Sequence, residues 1–287
     1  MYMPDVTTRR LDELLHEDVP HGDLTTDALA IGDRPATMIF DAREAMTLSG
    51  LGIAEGLLRL VGAEVELSVE DGASVAAGTR LLHARGRAGA LLKVWKQAQT
   101  SLEALSGIAS AARDLVDAVT ATGRDVPVAC TRKTFPGVRA LQAAAVRAGG
   151  CVAHRMGLSE TVLLFAEHRV FLAGVPLSVT ADRLRKAAPE KKLVIEVASV
   201  EEGVAAAAAG FDVIQTEKFA PTAVGELVDL LARDHPGTIV AAAGGIHPGN
   251  VAPYVLAGAS VIVTSWPYQG RPRDVQVLIA AHGDEVG

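Results

Sequence analysis

The sequence predicts a two-domain α/β protein whose C-terminal half is a closed or nearly closed α/β barrel. From Val126 onward, apolar runs of four or five residues alternate with helical stretches of about ten. That rhythm is the mark of βαβ units and a parallel sheet. Between Glu64 and Gly86, short alternating runs are broken by glycine turns, which implies a small β-rich layer. Aromatic residues are only 4% of a chain that is 49% hydrophobic. Alanine, valine and leucine must therefore fill the core, which suits helices packed on strands.

The elements follow in order. Leu11, Leu14 and Leu15 recur at helical spacing. Pro20 and Gly22 end that helix, and Asp23 or Thr25 caps the next. Residues 36–48 read as strands, and residues 50–61 as an amphipathic helix with Ile53, Leu57, Leu58 and Val61 on one face. Val65, Leu67 and Val69 alternate, Asp71-Gly72 turns the chain, and Gly86 closes the unit. The D-G-x-x-V-x-x-G spacing resembles the lipoyl and biotinyl carriers. No lysine lies between Glu64 and Arg87 to carry such a group, so the segment reads as packing. Residues 88–122 form a long helix in which Gly107 lets a second helix approach closely. Six strands follow, at 126–129, 162–165, 193–197, 213–216, 239–242 and 261–264. The helices between them fall at 137–148, 181–188, 200–209, 223–232 and 248–257. Six strands over this length favour a barrel over an open sheet.

The formal net charge of −7 argues against non-specific nucleic-acid binding, which needs a basic face. The two cysteines, Cys130 and Cys151, form no CxxC pair and read as small buried residues of a reducing compartment. Residues 1–10 contain no apolar h-region, and the longest apolar stretches, such as 203–210, are too short to span a bilayer. A cytoplasmic protein without membrane partners is expected.

In α/β barrels the functional groups follow the carboxyl ends of the strands. Those positions here carry Thr131-Arg132-Lys133, His154-Arg155, Glu167-His168, Glu196, Glu217-Lys218, Ala243-Gly244-Gly245 and Thr264-Ser265. Arg132 and Arg155 can each pair bidentately with a carboxylate or phosphate. His154 can donate to the same anion or titrate near neutral pH. Glu196 and Glu217 are either salt-bridged to Lys133 or Lys218, or share a Mg²⁺, which takes oxygen ligands and bridges to phosphate. Gly244 and Gly245, before a helix, offer backbone N–H groups and a helix N-terminus to a phosphate. Together these groups point to transfer chemistry on a phosphorylated sugar.

Thr131-Arg132-Lys133-Thr134-x-Pro136-Gly137, Gly149-Gly150 and His154-Arg155-x-Gly157-Leu158 resemble the signature of the quinolinate phosphoribosyltransferases. Supporting matches run in order along nearly the whole chain: Glu17-Asp18, Gly22-Asp23-x-Thr25, Leu48-Ser49-Gly50, Leu105-Ser106-Gly107-Ile108-Ala109, Glu196-Val197 and Ala243-Gly244-Gly245-Ile246. The resemblance implies an N-terminal open α/β sandwich at residues 1–104 and an incomplete α/β barrel at 105–287, with a last helix packing back on the first domain. It implies a homodimer or higher assembly in which the partner completes each active site. The family joins quinolinate to phosphoribosyl pyrophosphate with Mg²⁺, yielding nicotinate mononucleotide, pyrophosphate and CO₂. By position, Arg132, Lys133, His154 and Arg155 would hold the acid. Glu196 and Glu217 would flank ribose and metal, Gly244 and Gly245 the phosphate. Lys96 matches an arginine contributed across the dimer interface.

The sequence also departs from the family pattern. Cys130 stands for Asp, Ala153 for Asn, Glu217 for Asp and Lys218 for Asn. Phe165-Ala166-Glu167-His168 replaces Lys-Asp-Asn-His, so a cation that contacts substrate carboxylate or phosphate is gone. This pattern is similar to the ModD branch, paralogues described as pyrophosphorylases and named for association with molybdate transport. Three functions stay open: transfer to a substrate less anionic than quinolinate, authentic quinolinate turnover, and non-catalytic binding of molybdate or a pterin phosphate.

Overall fold

The computed structural model describes residues 7–281. Most of the N-terminal stretch read as lacking an h-region therefore lies outside the described residues. The described chain runs α1 (Thr8–Asp18), α2 (Leu24–Ala28), β1 (Pro35–Ala42), β2 (Met46–Thr47), α3 (Leu51–Leu60), β3 (Glu64–Leu67), β4 (Ser74–Val75), β5 (Arg80–Arg87) and α4 (Ala88–Thr120). It continues through β6 (Val128–Cys130), α5 (Arg139–Ala148), β7 (Val152–Ala153), β8 (Val162–Leu164), α6 (Ala166–Arg169), α7 (Leu177–Ala187) and β9 (Leu193–Val197). The remainder is α8 (Val200–Ala208), β10 (Val213–Glu217), α9 (Pro221–Asp234), β11 (Ile239–Ala243), α10 (Val251–Leu256), β12 (Val261–Thr264) and β13 (Val275–Ala281). Two compact units result. One holds the chain up to Ala111, Ala140–Gly150 and the segment from Gln269 on; the other holds Ala112–Arg139 and Cys151–Tyr268.

The first unit is built on an antiparallel sheet in the order β13-β1-β5-β3, with β2 and β4 pairing separately. Phe40 and Met38 of β1 are fully buried with Leu57 and Leu58 of α3 and Leu91 of α4. Asp23 caps α2 by accepting from the Thr26 N–H at 3.2 Å. Asp71 accepts from the Leu51 N–H at 3.1 Å, so the expected turn residue also caps α3. The two serine motifs are structural. The Ser106 hydroxyl, fully buried, accepts from the Ser49 N–H at 3.1 Å, and the Ser110 hydroxyl accepts from the Thr47 N–H at 2.9 Å.

Three expectations change here. Gly107 admits the extended Arg271–Pro272 backbone rather than a second helix: a Cβ at Gly107 would lie 2.2 Å from the Arg271 carbonyl oxygen. Gly86 lies inside β5 instead of closing the unit. The last described element is the strand β13, not a helix, and it zips along β1 from Ala36↔Ala281 to Ala42↔Val275.

The second unit is a parallel sheet of seven strands in the order β7-β6-β12-β11-β10-β9-β8. Strands β7 and β8 stand at its two edges, so the barrel is incomplete. The seventh strand, β7, lies in a stretch read as loop; with two residues it has no period to detect. Inside the curved sheet, Ala129, Ala241, Ala243 and Val263 form the core, with Val213 and Val261 against it. On the opposite face Leu193, Ile195 and Ile214 are fully buried. The small interior side chains leave room at the carboxyl end of the strands, and that is where the polar residues collect.

Candidate functional site

A cleft of about 510 Å³ opens at the carboxyl ends of the parallel strands. Every strand of the sheet supplies or precedes part of its wall. Arg132 and Lys133 follow β6, His154 and Arg155 follow β7, and Phe165 follows β8. Glu196 lies on β9 and Glu217 on β10; Ala243-Gly244-Gly245 ends β11; Thr264 and Ser265 end β12. The structure thus brings together all the site residues expected in the barrel half. Lys96 is the exception: it lies exposed on α4, its ammonium 4.1 Å from the Trp95 ring centre and donating to Gln99 Oε1 at 2.8 Å, outside the cleft lining.

The basic wall is built by neighbouring strands. The His154 N–H donates to the Cys130 carbonyl at 2.9 Å, which draws the loop after β7 against the end of β6. Arg155 is only 8% exposed and forms no ion pair among the described residues. Burial, and then the Arg132 guanidinium, hold its pKa below the ordinary arginine value. Burial likewise lowers the pKa of His154, with Arg155 adding to the effect. A buried, unpaired guanidinium beside a second cation is costly until an anion arrives. The Cys151 thiol and burial raise the Cys130 pKa far above its usual value, which leaves that thiol inert, and both cysteines are buried as packing.

The acidic wall has a different chemistry. Burial raises the Glu196 carboxyl above its usual pKa, and nearby Glu217 and Glu167 raise it further. Glu196 is not salt-bridged to lysine; its Oε2 accepts from Gln215 Nε2 at 2.8 Å. Glu217 does pair with Lys218 Nζ, at 3.6 Å. Among the described residues no three His, Cys, Asp or Glu side chains converge on one point to hold a metal. Two carboxylates nevertheless suit Mg²⁺, which keeps waters and takes its remaining oxygens from substrate phosphates. Burial first, and the neighbouring carboxylates after it, disfavour the charged form of Glu196, which a bound cation would favour.

Gly244 and Gly245 form a left-handed turn with φ of 93° and 73°. A Cβ on Gly244 would lie 2.7 Å from the Lys218 backbone nitrogen, so only glycine lets the loops after β10 and β11 touch. The expected helix N-terminus is not there. Residues 246–250 intervene, with the His247 N–H donating to Asn250 Oδ1 at 2.8 Å, before α10 starts at Val251. The Gly-Gly cradle therefore rests on backbone N–H groups alone. Thr264 lines the cleft, but its hydroxyl is spent: it donates to the Ile246 carbonyl at 2.7 Å and accepts from the Trp266 N–H at 3.0 Å.

Phe165 departs most from a purely ionic site. Its ring carries the Arg155 guanidinium 5.7 Å from its centre and stacks with His168 at 5.9 Å and 18°. Four lining residues escaped the sequence reading: Arg139, Leu163, Gln215 and Val263. Gln215 was legible in principle, being two residues before Glu217 and so on the same face of β10.

A model of the quinolinate phosphoribosyl transferase N-terminal domain matches residues 23–106, and that of its C-terminal domain matches residues 108–277. The chain belongs to the quinolinate phosphoribosyltransferase family. It is 47% identical over 253 residues to a Rhodobacter capsulatus protein described as a candidate pyrophosphorylase, ModD, covering 88% of this chain and 96% of the relative. It is 31% identical over 273 residues to the human nicotinate-nucleotide pyrophosphorylase (carboxylating), covering 95% and 91%. Among solved structures, NadC of Streptococcus pyogenes superposes with a TM-score of 0.85 at 27% identity, covering 96% of this chain and 99% of that one. The nicotinate-nucleotide pyrophosphorylase of Ehrlichia chaffeensis gives 0.89 at 23%, covering 97% and 100%, a likeness of fold. The incomplete barrel and the separate antiparallel sheet are thus the architecture of this family.

Proposed function

We propose that this family member transfers the phosphoribosyl group of phosphoribosyl pyrophosphate to an aromatic acid less anionic than quinolinate, releasing pyrophosphate. The observation that carries this reading is the buried, unpaired Arg155 beside Arg132, with the Phe165 ring against it. Arg132, Arg155, His154 and Lys133 hold the acid. Glu196 and Glu217 flank the ribose and a Mg²⁺ that would neutralise pyrophosphate charge, and Gly244-Gly245 receives phosphate oxygens. Losing a cation opposite a second carboxylate costs roughly 2–5 kcal/mol of binding, so a dicarboxylate is disfavoured. Catalysis then rests on positioning and electrostatics. The enzyme acts in the cytoplasm as a homodimer or higher homo-oligomer, with exposed Lys96 offered to the partner's site.

Pyrophosphate release, measured with phosphoribosyl pyrophosphate, Mg²⁺ and a panel of aromatic monoacids, diacids, pterins and molybdate, tests the reading. Release driven best by a monoacid is expected. Release driven best by quinolinate returns the protein to NAD biosynthesis, a second reading that Lys133 favours by adding a cation to the cleft. Binding of molybdate or a pterin with no release under any acceptor makes it a molybdenum-linked binding protein instead.

A further inference from the structure

We infer that the acceptor is larger than a single ring and runs past Phe165 into an apolar side groove, an inference that rests on the phosphoribosyl-transfer reading above. The groove, about 650 Å³, adjoins the cleft: Arg132, Arg155, Leu163, Phe165 and Glu167 line both. Leu158, Thr161, Val162 and His168 belong to the groove alone.

The walls specify what fits. The Arg155 guanidinium lies over the Phe165 ring and His168 stacks with that ring, so the three form one row from cleft to groove. Such a row accepts a flat, conjugated ligand edge-on or stacked. Val162 and Leu163 supply apolar surface, and Leu158 stands 72% exposed at the rim. An apolar end belongs there, because Glu167 would repel a second carboxylate. The Thr161 hydroxyl is buried in the same wall without a hydrogen-bond partner among the described residues, which favours a heteroatom on the distal ring. The class that meets these demands is a fused two-ring aromatic or heteroaromatic monoacid. Its carboxylate lies at Arg132 and Arg155, and its second ring along Phe165 and His168.

Calorimetric titration with two matched pairs tests this: picolinate against its benzo-fused counterpart quinaldate, and isonicotinate against cinchoninate. Inorganic pyrophosphate serves as the control for a folded, anion-binding protein. At least one fused acid is expected to bind about tenfold tighter than its single-ring partner, as burying a further ring implies. Thr161→Trp, which fills the groove, is expected to bring that ratio to about one, and Leu158→Ser, which acts from the exposed rim and spares the fold, to lower it by about threefold. Equal binding within both pairs, or a preference that both variants leave untouched, overturns the inference while proposed function stands. A wild-type protein that binds neither the acids nor pyrophosphate overturns both.

Discussion

At the residue scale, Arg155 and His154 have the sharpest consequences. Arg155 is buried, so its charge is tolerated for what it binds. Arg155→Lys replaces a planar fork with a point charge. It is expected to weaken binding of an aromatic acid by at least about tenfold while stability changes little, which titration and thermal denaturation separate. Burial, and then Arg155, lower the His154 pKa and so favour the neutral imidazole in the free protein. A bound anion stabilises the imidazolium and raises that pKa. Between the two values, binding takes up a proton, so affinity rises as pH falls and levels off below the free-protein pKa. Calorimetry in buffers of different ionisation enthalpy should show this uptake as pH falls toward the lowered free-protein pKa, and His154→Gln should abolish it. The cationic side chains, the carboxylates and the Gly-Gly pair were legible because their chemistry shows in their type and their strand-end position. Leu163 and Val263 were not, since an apolar side chain on an inward face looks like any other strand residue; Gln215 could be read only from its place two residues before Glu217.

At the element scale, caps and close approaches decide the local stability. Asp71 holds the first N–H of α3 across a gap of twenty residues in sequence. Asp71→Ala is expected to cost about 1 kcal/mol in urea unfolding. Gly107→Ala drives a methyl into the Arg271 carbonyl, a backbone atom that cannot swing aside. A loss of roughly 1–3 kcal/mol is expected. Helices α8 and α9 lay close to their expected positions because their periodicity is long enough to read. Strand β7 and the delayed start of α10 were not readable. Two residues carry no period, and the His247–Asn250 hydrogen bond that holds the loop before α10 is a tertiary event.

At the scale of the whole molecule, the alternation of strands and helices announced the barrel, and its opening lies between two very short edge strands. Strand β13 was hidden because Val275–Ala281 is apolar but for Gln276, a run that suits helix or strand until β1 is there to pair with it. Assembly lies beyond a single chain's sequence. If exposed Lys96 serves a partner's site, Lys96→Ala mixed with a variant dead at Arg155 should regain activity through hybrid sites, measured as pyrophosphate release.

Every scale converges on the exchange of a cation for Phe165. The most direct measurement is kcat/KM for quinolinate, with phosphoribosyl pyrophosphate and Mg²⁺, in the wild type and in Phe165→Lys. Feeble use of quinolinate by the wild type is expected, with a gain of at least about tenfold on restoring the cation. A wild type that already turns over quinolinate as well as Phe165→Lys would contradict that expectation.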